Sequence, residues 1–293
     1  MIRFKPVKLI FLHHSCGGNW LADDHGGLGI ALRDRRYFVS DTNYKWGPDS
    51  IGSHTDIGDW WRWFVDTDGR PSSEAFTAAL YAESGQNCPY SRLNRDPGGE
   101  NRVVMFKSCY PNSNLGGSPD DPPTTGNNPL RGQSCGSEHH TVGNAKGIYI
   151  DLLPYFATRQ DKLFVAITAP PMCEASTDPE QAPNARALNN WLVSEWLTDY
   201  PYANVAVFDF YNVLTSNGGD VQTNDVEQAE GNHHRLLSGV PDHSQTVGND
   251  YAAYGKTPTN SHPTPAGNQK ATEEFMPLLD SFYKRWRNAQ KGR

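Results

Sequence analysis

The chain has 293 residues, a net charge of −7 and one short basic cluster, Lys284-Arg285-Trp286-Arg287, which reads as a solvated helix end. That balance argues against nucleic acid or an anionic membrane surface as partners, and no hydrophobic stretch is long enough to span a membrane. Its 37% hydrophobic residues can fill the core of one large domain, while 27 Gly and 21 Pro announce long loops, where function usually resides.

The first element is Val7-Lys8-Leu9-Ile10-Phe11-Leu12, a buried strand that breaks into His13-His14-Ser15-Cys16-Gly17-Gly18. The glycines let the chain turn sharply into a helix, leaving Ser15 and nearby backbone N–H groups at its N-terminus, where negative charge is stabilised. For an isolated serine the alternative is a hydroxyl that only caps the helix. A short helix over Gly29–Arg36 leads to a second strand, Tyr37-Phe38-Val39-Ser40, and then to the polar and aromatic loop Asp41–Asp49. Asp59-Trp60-Trp61-Arg62-Trp63-Phe64 suits core packing or a sugar-stacking wall.

A helix from Ser73 to Glu83 precedes a third buried strand, Arg102–Lys107, ending in Ser108-Cys109-Tyr110-Pro111-Asn112-Ser113-Asn114. Gly116–Ser137 is a surface excursion within the domain. Helix His140–Thr158, strand Lys162–Thr168, helix Ala182–Thr198 and strand Asn204–Asp209 continue the alternation, which predicts a parallel sheet with helices on both faces. The ligand site of such a sheet lies beyond the strands' carboxyl ends, placing Ser15, Gly47, Asn112 and Pro170 along one rim. Ser216–Thr259 reads as irregular and polar, and Asn260-Ser261-His262-Pro263-Thr264-Pro265-Ala266-Gly267-Asn268 opens a last helix running to about Trp286.

The five cysteines form neither a CxxC pair nor an even-numbered framework. Cys16 and Cys109 each follow a core strand, and their sulfurs meet if those strands are neighbours. The N-terminus runs into the first strand without a separate signal segment, so the chain is expected to be soluble: secreted if a signal peptide has been removed, otherwise cytoplasmic.

A serine ending the first strand and a His-Pro-x-x-x-Gly-Asn segment at the last helix resemble the SGNH hydrolase superfamily, the GDSL-type esterases and lipases. The resemblance implies a flavodoxin-like, three-layer α/β/α domain over residues 1–293, with a five-stranded parallel sheet and long loop insertions. It also implies a serine esterase working through an acyl-enzyme, without metal or cofactor. Ser15 then matches the nucleophile and His262 the base, and Ser15 N–H, Gly47 and Asn112 match the oxyanion hole, with Gly52 and Asn114 as rivals for the last two.

The chain departs from the family in reading His13-His14-Ser15 for Gly-Asp-Ser, in lacking the third block's glycine and the aspartate after Asn112, and in carrying Thr259 where an Asp usually orients the histidine. The orienting acceptor is therefore expected to be a backbone carbonyl in the Thr259–Ser261 turn, with Asp242 and Asp250 as the carboxylate alternatives. Polar, aromatic loops suit a small-molecule or glycan ester, an O-acylated carbohydrate above all.

Three other readings compete. Gly132-Gln133-Ser134-Cys135-Gly136 matches a nucleophile elbow, and His25-Gly26-Gly27 a lipase oxyanion motif, but no strand precedes Ser134. The doublets His13-His14, His139-His140 and His233-His234 could supply a metal-dependent hydrolase or lyase, with Asp41 or Asp209 as carboxylate. The last is a non-catalytic SGNH-like domain binding glycans through its Trp-rich segment.

Overall fold

A computed structural model describes residues 5–215, 231–246 and 250–292. In chain order the regular elements are β1 (Val7–Leu12), α1 (Ser15–Leu21), α2 (Leu28–Asp34), β2 (Tyr37–Thr42), α3 (Asp59–Phe64), α4 (Ser73–Ala82), β3 (Val103–Lys107), α5 (Val142–Thr158), β4 (Leu163–Ile167), α6 (Gln181–Ser194), β5 (Val205–Phe208), α7 (Phe210–Leu214), β6 (His233–Leu237), β7 (Val240–Ser244), β8 (Gly255–Thr257), β9 (Asn260–Pro263) and α8 (Pro265–Lys291).

β1 to β5 form one all-parallel sheet in the order β2-β1-β3-β4-β5, the flavodoxin-like arrangement of doubly wound proteins. The strands are short and mostly apolar because both faces of the sheet are covered, with β2 ending in the polar Ser40-Asp41-Thr42. Alternation along β1 sends Ile10 and Leu12 into the layer packed by α3–α6, and Leu9 and Phe11 into the layer packed by α1, α2, α7 and α8. This is a three-layer α/β/α fold, as the strand and helix alternation predicts.

Trp60 and Trp63 are fully buried in the first layer, where Trp63 stacks on Trp46 and Trp60 meets Phe106 edge-on. Burying an indole stabilises by removing its large apolar surface from water, so Trp60 and Trp63 belong to the core, while Trp61 is half-buried under Arg131.

The segment read as irregular, Ser216–Thr259, contains among its described residues the antiparallel hairpin β6–β7 and the strand β8, whose partner β9 begins the stretch read as opening the last helix; 216–230 and 247–249 lie outside the described residues. β6 opens on two buried polar residues, accommodated because His233 pairs with Glu274 and His234 accepts from the Asp209 N–H. The short helix α7, capped by Asp209, was also not anticipated.

Candidate active site

β1 ends against α1 in a turn with no room to spare. A Cβ on Gly17 would lie 2.3 Å from His13 Cβ, so only glycine lets the helix start this close to the strand. The turn is anchored on both sides. His13, fully buried, bonds the His14 carbonyl through Nδ1 (2.8 Å) and Asp41 Oδ2 at the end of β2 through Nε2 (3.2 Å). His14 donates from Nε2 to the Gly52 carbonyl (2.8 Å), and its burial lowers its pKa, consistent with a neutral ring in that role.

Ser15, the first residue of α1, presents its hydroxyl 2.9 Å from His262 Nε2, a contact that spans 247 positions of sequence. His262 lies on β9, where burial alternates: Ser261 and Pro263 face inward, Asn260 and His262 outward. Residues two apart on a strand share a face, so the Asn260 side chain lies beside the imidazole. Its Oδ1 accepts from His262 Nδ1 at 2.8 Å and from the His262 backbone N–H at 3.1 Å. The second bond fixes the amide orientation; an amide oxygen only accepts, so Nδ1 carries the proton and Nε2 is free to accept from Ser15. The acceptor is therefore a side-chain amide within the Thr259–Ser261 turn, where a backbone carbonyl was expected. Asp242 is held instead by Arg235 and Ser244, and Asp250 by Arg186.

Tyr110 packs edge-on against the His262 ring at 5.0 Å, and Tyr44, more than half exposed, stacks on His14 at 3.9 Å. Burial of the Tyr44 phenol raises its pKa. The polar and aromatic loop thus lays an aromatic ring beside the turn that carries Ser15, a placement that no local pattern around Tyr44 signals.

The oxyanion candidates divide. Gly47 sits in the same loop at φ 76° and ψ −177°, a backbone conformation that glycine adopts without strain, and Asp49 and Ser50 just after it also take positive φ. Gly52 is its partner in the site, holding His14 through its carbonyl. Asn112 does something other than expected. It is buried; its Nδ2 donates to Asp56 Oδ1 (2.7 Å) and the Cys109 carbonyl (3.3 Å), and its Oδ1 accepts from the Ile57 N–H (2.8 Å). Both amide hydrogens are taken, so Asn112 ties the β3 end to the loop before α3, leaving no donor for an oxyanion. Asn114 accepts from Thr177. Replacing Asn112 with Ala would leave a buried N–H and a carboxylate short of partners, an expected loss of about 2–3 kcal/mol in a urea titration. A residue acting only as an oxyanion donor would instead lose rate and keep its stability.

The same network contains a proton-linked group. Asp59 accepts from the Asp56 N–H, and burial followed by the neighbouring Asp56 charge raises its pKa from 3.8 to about 7. In the unfolded chain Asp59 gives up its proton near pH 4, in the folded protein near pH 7, so stability is lost as pH rises through that window, by up to about 4 kcal/mol. Asp59→Asn removes this slope. The variant is expected to melt above the wild type at pH 8 and no higher at pH 4, as scanning calorimetry would read.

The histidine doublets are taken up separately. His140 bonds the Asn112 carbonyl, His233 pairs with Glu274, His234 accepts from the Asp209 N–H, and His139 lies beside Glu138. Among the described residues one group, His13, Asp41 and Cys88, brings possible ligand atoms within 4.8 Å of one another. There both His13 nitrogens have protein partners, and Asp41 Oδ1 also accepts from the Asn87 N–H and the Tyr90 hydroxyl. That set works as a buried brace behind the Ser15 turn. Ser134 is exposed in a run of turns with no strand before it, and His25 bonds Asn268, so the elbow motif has no supporting context.

No protein-family model matches the chain, and no curated protein does. One solved crystal structure aligns over 94% of this chain and 97% of its own length, at 13% identity and a TM-score of 0.38.

Proposed function

We propose that this protein is a serine-dependent carboxylic ester hydrolase of SGNH type, forming an acyl-enzyme on Ser15. The observation that carries the reading is the relay Ser15–His262–Asn260, three side chains from opposite ends of the chain with each bond at 2.8–2.9 Å. His262 Nε2 takes the serine proton as Ser15 Oγ attacks the ester carbon, and returns it to the leaving alcohol; water repeats the sequence to free the acid. Asn260 keeps Nδ1 protonated, the part an asparagine plays in Cys-His-Asn sites.

The developing oxyanion needs donors, and Ser15 N–H is the first of them, because the leading N–H groups of a helix have no intrahelical partner. Tyr44 stacks on His14 from the exposed loop that follows β2. Gly47 N–H, on the same loop, is the second donor. Tyr44 and Tyr110, flanking the serine and the histidine, offer ring faces that suit an acylated sugar better than a long acyl chain.

Incubation with a fluorophosphonate and peptide mapping tests the proposal. The label is expected on Ser15 alone; label on Ser134, or none, would overturn it.

A further inference from the structure

Cys16 and Cys109 stand beside the relay but take no part in it. β1 and β3 are parallel neighbours with Leu12 opposite Phe106, and continuing that register past both strand ends sets Cys109 opposite Ser15, next to Cys16, with the two sulfurs 3.3 Å apart. A disulfide bond is about 2.05 Å long, so modest side-chain rotation closes the gap. Cys109 Sγ also lies 3.8 Å from the Ser15 hydroxyl, the second acceptor in that hydroxyl's reach besides His262.

We propose that Cys16 and Cys109 form a reversible dithiol/disulfide site oxidised by peroxides, and that its state sets the reactivity of Ser15. Cys109 is half-buried at the rim, so a small oxidant reaches it where a substrate reaches Ser15, while Cys16 is fully buried behind it as the resolving thiol. A hydrogen bond from Cys16 holds the Cys109 thiol well below its ordinary range, aided by the buried Lys107 ammonium against the opposing effect of burial. The other thiols are placed differently: burial and a neighbouring carboxylate push Cys88 up to about 11 and Cys135 to about 12, and Cys173 faces the Thr257 carbonyl.

The chemistry balances. The Cys109 thiolate attacks one peroxide oxygen; an S–O bond forms as the O–O bond breaks, and the departing hydroxide is protonated to water. Cys16 then attacks the sulfenic sulfur; the S–S bond forms as S–O breaks, and the thiol proton leaves with hydroxide as a second water. Two thiols lose two electrons and one peroxide becomes two waters. Attack by Ser15 builds negative charge on the substrate beside Cys109, so a thiolate there opposes it and a neutral disulfide does not. This coupling rests on the esterase reading; the disulfide does not.

Treating the reduced protein with stoichiometric hydrogen peroxide is expected to remove two of its five thiols and yield a peptide joining Cys16 to Cys109, reversed by dithiothreitol. In Cys16→Ser, Cys109 should stop at the sulfenic acid and take a single dimedone adduct. Reaction first at Cys88, Cys135 or Cys173, or no Cys16–Cys109 peptide from the wild type, would overturn the site. Fluorophosphonate labelling of Ser15 should quicken by about fivefold or more on oxidation and revert on reduction. An unchanged rate in a protein shown to carry the linkage would overturn the coupling, whereas Ser15 unlabelled in both states would count against the esterase and not against the disulfide.

Discussion

Ser15→Ala is expected to lose about 10⁴-fold or more in kcat/KM for 4-nitrophenyl acetate while melting close to the wild type. The hydroxyl's strong bond is to His262 at 2.9 Å on a half-buried rim, so its removal takes away the proposed nucleophile and little packing. His262→Ala should fall nearly as far, and the double variant no further, because the two residues act as one unit. Ser15→Ala turning over the ester at the wild-type rate would end the acyl-enzyme mechanism outright.

The next largest effect belongs to Asn260. Without its amide oxygen the imidazole loses the acceptor that selects the Nδ1–H tautomer, and Asn260→Ala should lower kcat by about 10²-fold with a smaller change in KM. Asn260→Asp keeps an acceptor at the same place and adds a charge that favours the imidazolium. That variant should retain activity, and the acid limb of its pH–rate profile should move to higher pH, since a carboxylate beside the ring raises its pKa. Asp242→Asn and Asp250→Asn should stay within about threefold, because these carboxylates are held by Arg235 and Arg186 and not by His262. A profile for Asn260→Asp identical to the wild type, or a collapse in Asp242→Asn, would remove Asn260 from the relay.

What the sequence alone determined is the part of the protein written in short-range pattern. The five core strands are largely apolar runs of four to six residues, because a strand covered by helices on both faces is mostly apolar; the polar exceptions, such as Asp41 and Lys107, lie at strand ends. Ser15 and His262 were legible because each stands at a boundary with its own local signal: a glycine pair after a strand, and a proline opening a helix. The Cys16–Cys109 meeting followed from the same strand order.

The tertiary structure decided what depends on partners far away in the chain. Asn260 became the orienting residue because pairing of β9 with β8 extends residues 260–263 and turns positions two apart to one face; in a turn, as the sequence suggested, a backbone carbonyl was the natural acceptor. Asn112 left the oxyanion role because Asp56 and Ile57, more than fifty positions away, hold its amide. Trp60 and Trp63 went to the core, and Tyr44 came to His14, for the same reason. An aromatic or amide side chain carries no local mark of which surface it will meet, and only the packing of the layers supplies that surface.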